Sequence, residues 1–493
     1  MKTFTKLILF SVFVVFTITG IEAQNWYQMS NHLYGYHNND EFGFSVDLNS
    51  DGTIMAVGAP FNAENGVSAG CVTVFKWNGT QWDTLGHTIF ADDEFWEFGF
   101  NVRLNEAGNI LAVGANYSSI GAYCSGHVTV YQYNGNDWVR KGNRIYDNFQ
   151  GDAAGIGLAL NASGNIIAVG YAASYQKNYL NGKVKVFELV DTLWVQLGDT
   201  IYGTENSLLG TGLSMNSEGT RIAVGAPYDK HVGENGGMVC VFDYNGTDWT
   251  LVGDTIYPEA PADFGYDVSL TPDGNTLAVG APNGNPYHQG YVQVFQYDGT
   301  SWVQKGTNIN GTDNAITFGE SLQLNGDGSY LIIGAPCLIH KNKFVSRDYE
   351  SYMRVVHFNG TDWEQVGEQI EMTRSDCYGS SVAISNDGSI IAVGAQGKAS
   401  GCVFPYKLID DSGIDENGSG NINVYPNPAQ NVVTVKAADL QKVEIYDLTG
   451  KKITEHYFDG NPGKINLPDN GNRMFLFKVI TAKGYYSVPV LKK

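Results

Sequence analysis

Apolar and polar residues alternate along short runs of this chain, and one pattern of runs returns seven times. Its clearest copy begins with Phe42-Gly43-Phe44-Ser45-Val46-Asp47-Leu48-Asn49, which alternates as a strand covered on one face does. Ser50-Asp51-Gly52 follows as a tight turn, with glycine supplying the positive φ. Thr53 to Pro60 reads TIMAVGAP, almost wholly apolar, the pattern of a strand covered on both faces. Cys71 to Trp77 forms a third run, Asn78-Gly79 gives the strongest short hairpin signal, and Gln81 to Gly86 returns as a fourth.

Each copy carries a glycine and a second glycine fifteen residues later: Gly43/Gly58, Gly99/Gly114, Gly155/Gly170, Gly210/Gly225, Gly265/Gly280, Gly319/Gly334 and Gly379/Gly394. The copies start 54 to 60 residues apart, so length varies in the loops while the first hairpin stays fixed. Four antiparallel strands per unit and seven units predict a seven-bladed β-propeller. A solenoid would instead need capping units with a polar outer face.

The fourth run carries a tryptophan in six copies: Trp82, Trp138, Trp194, Trp249, Trp302 and Trp363. The seventh copy stops after Cys402 to Leu408 without one, and the spare tryptophan, Trp26, lies 56 residues before Trp82. The segment Trp26–Leu33 is therefore expected to pair with the strand near Val403–Lys407. That would close the ring and remove exposed edges.

The phase of the repeat resembles the FG-GAP repeat of the integrin α-subunit propeller. Phe42-Gly43 with Gly58-Ala59-Pro60, Phe98-Gly99 with Gly114-Ala115, Phe264-Gly265 with Gly280-Ala281-Pro282, and Phe318-Gly319 with Gly334-Ala335-Pro336 carry the likeness. Ala154, Leu209 and Tyr378 replace the phenylalanine in the third, fourth and seventh copies. The resemblance covers residues 24–408 and implies a propeller engaged in extracellular recognition. The family's calcium loop survives only as Asp47, Asn49 and Asp51 in a D-x-N-x-D-G opening, and Met55 stands where a further carboxylate would close it. The alternative for these three residues is a plain Asx-type turn, with no cofactor at all.

Residues 409–421 read as a polar linker, and 422–493 as short alternating strands separated by turns, a small immunoglobulin-like β-sandwich. Val424-Tyr425-Pro426-Asn427-Pro428-Ala429, Val443 to Lys452 and the closing Lys492-Lys493 resemble the C-terminal sorting domain of the type IX secretion system. Arg473-Met474-Phe475-Leu476 departs from that family's pattern. The resemblance implies a Gram-negative cargo whose residues 422–493 engage the type IX machinery. It would be released outside the cell or anchored on the outer-membrane surface. At the other end, Lys2 and Lys6 precede the apolar run from Leu7 to Ile18, so residues 1–23 read as a signal peptide. No transmembrane segment is expected in the mature chain.

The whole chain has 493 residues and a formal net charge of −21, which argues against nucleic acid as a partner. In a meander of this kind the variable loops gather on one face. Asp40, Asp93, Asp152, Trp96, Tyr123, Tyr287 and His288 fall on those loops, and Arg347 belongs to a basic cluster in the longest of them. Aromatics beside carboxylates suit sugars or peptides. The expected role is non-catalytic binding of an extracellular protein or glycan. The alternative is a glycan-active enzyme, a glycosidase or lyase, using a carboxylate pair such as Asp93 with Asp152 or Asp40 with Asp93. Cys337 and Cys377 form the candidate disulfide, because the connection between units crosses over its own blade.

Overall fold

The structure is a computed structural model. It describes residues 24–172, 181–284, 289–312, 317–336, 351–372, 377–397, 400–410, 423–425, 431–437, 440–447, 451–460, 463–468, 474–481 and 484–492. The chain divides into two compact units, one spanning Gln24–Ile409 and the other containing Asp410–Lys493. Among the described residues every regular element is a strand.

The larger unit holds seven small antiparallel sheets. In the first, Ser45–Leu48, Ile54–Ala59, Cys71–Trp77 and Trp82–Thr84 lie side by side in chain order. The next five sheets repeat that order. The seventh takes Tyr378–Ile384, Ile390–Ala395 and Cys402–Asp410 from its own copy and adds Gln24–Gln28 as its outer strand. Leu33 pairs opposite Val403, and the Met29 amide donates to the Pro405 carbonyl, so the N-terminal segment is stitched to the last sheet along its length.

Second strands are buried along all or all but the first of their residues, as their apolar sequences require; Ile110–Ala115 and Thr276–Ala281 are buried from end to end. Their side chains pack between neighbouring sheets. Val57, Ala59 and Trp82 of the first sheet share a core with Ala392 and Val403 of the seventh. Fully burying one such valine contributes roughly 1.5–3 kcal/mol.

The fifteen-residue glycine pairs also meet across sheets. A Cβ on Gly58 would lie 2.0 Å from the Gly99 carbonyl oxygen of the next sheet, a clash that only glycine avoids. The same approach joins Gly280 to Gly319 and Gly334 to Gly379, and finally Gly394 to Gly43. A second circuit runs through the tight turns. Ser50 N–H donates to Glu106 C=O, Glu106 to Ala162, Ala162 to Ser217, and Ser217 to Pro272; Gly326 donates to Asn386, and Asn386 back to Ser50. The circuit lacks its step from Pro272, whose ring nitrogen carries no hydrogen.

The smaller unit contains two sheets. Asn423–Tyr425, Val432–Lys436 and Gly463–Asn466 form one; Lys452–Gly460, Leu440–Tyr446, Met474–Thr481 and Gly484–Leu491 form the other. Val433, Val435 and Ile465 pack with Val443, Ile445, Phe475 and Phe477 in one apolar core. Among the described residues no helix is long and apolar enough to cross a membrane.

Candidate functional site

In all seven sheets the residue two places before the first repeat glycine has a left-handed backbone: Glu41, Glu97, Ala153, Leu208, Asp263, Thr317 and Cys377, with φ between 46° and 65°. None is glycine, so each stores local strain at the edge where the loops gather. The residues just after the glycines, among them Phe44, Phe100, Tyr266 and Glu320, open onto a cavity of about 500 Å³. All seven first strands contribute to its wall.

Charge is concentrated in that wall. Burial pushes the Asp47 carboxyl up to about 6, with Arg103 and the Leu104 amide opposing the rise. Burial does the same to Asp267, also to about 6, against Arg103 and the amides of Leu322 and Val268. Glu320 is pushed up to about 7 by burial. Its charge is the main reason the neighbouring Tyr266 hydroxyl is raised as well, with burial second. Below these values each carboxyl is protonated and both donates and accepts hydrogen bonds; above them it only accepts. Two of them also tie sheets together: Asp47 Oδ2 accepts from Leu104 N–H at 2.6 Å, and Asp267 Oδ2 from Leu322 N–H at 2.9 Å.

The residues singled out from sequence occupy different settings. Asp40 is buried, and its Oδ2 accepts from His37 N–H and Asn62 Nδ2, each at 2.9 Å, so it braces a loop. Asp93 is exposed and accepts from its neighbour Glu94 N–H at 2.9 Å. Trp96 is buried beneath the surface, edge-on to His127 with ring centroids 4.8 Å apart and under the Arg144 guanidinium. Tyr123 is exposed. Asp152 pairs with Lys183 Nζ at 2.7 Å, and Lys183 also reaches Asp147 at 2.9 Å, which in turn holds Lys185 at 2.7 Å. Burial opposes ionisation of Asp147, but the two lysines outweigh it and hold the carboxyl at about 2. At Asp152 burial prevails over Lys183, and the carboxyl lies above its ordinary range.

Asp47, Asn49 and Asp51 serve three separate groups. Asp47 faces the next sheet, Asn49 Oδ1 accepts from Ile54 N–H at 2.8 Å, and Asp51 Oδ1 accepts from Thr53 N–H at 2.9 Å. Among the described residues no group of three acidic, histidine or cysteine side chains could hold a metal ion. Tyr287, His288, Arg347 and Cys337 lie outside the described residues. Cys377 is half-buried, with φ at 46°.

The wall residues Arg103, Asp267 and Glu320 were not singled out from sequence. Their signal is positional: Arg103 and Asp47 occupy the place filled by Ala159, Ser214, Ser269, Gln323 and Ala383 in the other copies.

The smaller unit is placed by comparison. Residues 423–488 match the secretion system C-terminal sorting domain. The match indicates export by the type IX system to the cell surface or the extracellular space, and interaction with that secretion machinery. Comparison with curated proteins finds no match for the chain.

Proposed function

We propose that residues 24–408 form a closed seven-bladed β-propeller of the FG-GAP kind. The sorting domain, of immunoglobulin-like build, exports it as a non-catalytic binding protein. The circular succession of glycine contacts and turn hydrogen bonds, ending Gly394 to Gly43 and Asn386 to Ser50, supports closure. The loop-bearing face is the binding surface, for an extracellular protein or glycan.

One observation carries the binding reading over the enzymatic one. Two of the three acids considered for catalysis are already committed, Asp40 to Asn62 and Asp152 to Lys183, whereas large aromatics such as Tyr123 and Phe149 stand exposed on the same loops. Contiguous exposed apolar surface marks an interaction site.

The test uses the mature chain, residues 24–493, on a glycan array and on immobilised extracellular-matrix proteins. Retention without release of new reducing ends or unsaturated products is expected. Turnover that disappears in Asp93→Asn would overturn the reading in favour of a glycan-active enzyme.

A further inference from the structure

Each sheet continues from its fourth strand into a segment that folds back beside the start of the third. Leu33–Tyr34, Ile89–Phe90, Ile201–Tyr202, Ile309–Asn310 and Ile370–Met372 do so as short strands. Ile145 and Ile256 do so through single bridges, to Val128 and Val239. The aliphatic residue of each pair turns inward. The residue after it lies at one repeated position on the loop-bearing edge: Tyr34, Phe90, Tyr146, Tyr202, Tyr257, Asn310 and Glu371.

Five of these seven are aromatic, and they belong to consecutive sheets: the seventh, then the first to the fourth. Tyr34 is 54% exposed, Tyr146 45%, Tyr202 73% and Tyr257 38%, while Phe90 is half-buried. Their loops add the exposed rings of Tyr36, Phe95 and Phe149. The frame itself does not demand these rings. Asn310 sits opposite Tyr291 and Glu371 opposite Tyr352 in the same register, so an amide or an acid completes the pairing equally well. Exposed tyrosines on four of five neighbouring sheets, Tyr257 among them stacked on His231 at 4.2 Å, where two other sheets do without aromatics, call for an occupant.

We propose that this arc of aromatics binds a neutral polysaccharide lying across the edges of the seventh, first, second, third and fourth sheets. The inference rests on the loop-face binding reading above and narrows it to one ligand class. Charge selects the class. Among the described residues, the cations along the arc are paired: Arg144 with Asp92, Lys183 with Asp147 and Asp152, Lys185 with Asp147, and Lys230 with Glu234. Exposed Asp93, Glu94 and Glu205 remain beside them, so a polyanion is repelled. A basic polypeptide would need an unspent carboxylate at each step, and the ion pairs remove several. A neutral sugar chain needs flat rings at repeated intervals, with amide and carboxylate oxygens at the margins to accept from hydroxyls. The edge supplies one ring per sheet.

Affinity electrophoresis of the mature chain, residues 24–493, tests this in gels holding dextran, mannan or arabinoxylan, with alginate, heparin and polylysine as charged probes. At least one neutral polysaccharide should retard the protein. Tyr34→Ala, Tyr146→Ala and Tyr202→Ala should each weaken retardation about three- to tenfold. Asn310→Ala and Glu371→Ala, at the same register, should leave it unchanged. The substituted tyrosines are solvent-exposed, so thermal melts should match the parent. Retardation that ignores the tyrosines would overturn the arc and leave glycan binding elsewhere on the loop face. Retardation by charged probes alone, or capture only by a matrix protein, would overturn the ligand class while the binding reading stands.

Discussion

The indole N–H of Trp26 donates to the carbonyl of Val366, 340 residues away in the chain. The same bond links consecutive sheets elsewhere: Trp138 to Leu85, Trp194 to Lys141, Trp249 to Leu197, Trp302 to Val252 and Trp363 to Lys305. The first tryptophan of the chain thus does for the last sheet what the others do for theirs. Its ring is also buried among Met353, Ile391 and Phe404.

Trp26→Ala should therefore act as a core truncation. Removing a buried tryptophan costs about 3–5 kcal/mol, and here the loss falls on the segment that completes the seventh sheet. Urea unfolding of the mature chain should show the lower midpoint. A midpoint equal to the parent's would mean the N-terminal strand contributes nothing to the seventh sheet.

One link of the tryptophan series is missing. Trp82 Nε1 is buried and, among the described residues, has no acceptor. Five of the linking carbonyls precede a glycine with positive φ against which the next tryptophan packs: Gly86, Gly142, Gly198, Gly253 and Gly306. Ahead of Trp82 the corresponding residue is Ser30. The seam between the N-terminal strand and the first sheet thus lacks the indole bond that the other six tryptophans of the series make. In an amide-exchange experiment resolving the indole protons, Trp82 should exchange fastest of the seven, because local opening governs that rate. Gly198→Ser should create a second weak seam. Its Cβ would meet Trp249 Cδ1 at 2.8 Å, with φ at +74°, and Trp249 exchange should accelerate while Trp302 stays protected.

Glycine positions give a sharper contrast. Gly394→Ala forces a Cβ to 2.0 Å from the Gly43 carbonyl oxygen, a backbone atom with no freedom to yield, whereas Gly79→Ala meets nothing within 4 Å. Gly394 belongs to the seventh copy of the repeat and Gly79 to the first. Gly79, with φ at +101°, should cost about 1–2 kcal/mol in backbone strain alone. Gly394→Ala should cost several times more, or prevent folding. Comparable melting temperatures would refute the close approach.

Much of this was legible in the residues themselves. The fifteen-residue glycine spacing marks where backbones of adjacent sheets touch, and Trp26 marks a fourth strand displaced to the front of the chain. The inward-folded pairs such as Ile89–Phe90 were not legible, because two residues are too few to show alternation. Nor was the setting of Asp47, whose partner Leu104 lies 57 residues away and is fixed only once the sheets stand side by side. Trp96 reads as a loop aromatic in sequence, yet His127 and Arg144 from other segments enclose it.

The buried acids set opposite pH dependences. Asp47 and Asp267 hold protons up to about 6 in the folded chain, against an ordinary value of 3.8. Between those values the unfolded chain is ionised and the folded chain is not, so stability falls as pH rises through that window. The linkage is on the order of 1–3 kcal/mol for each carboxyl. Asp147 works the other way. The lysines around it hold its folded value at about 2, so its contribution is present above 3.8 and fades as pH drops toward 2. Stability measured by urea midpoint should therefore peak at or just below the ordinary value of 3.8 and decline as pH rises toward about 6. Asp47→Asn with Asp267→Asn should flatten the decline above pH 4. The amide oxygens still accept from Leu104 and Leu322 but bind no proton. A double variant with the parent's slope between pH 4 and 7 would assign the dependence to other groups.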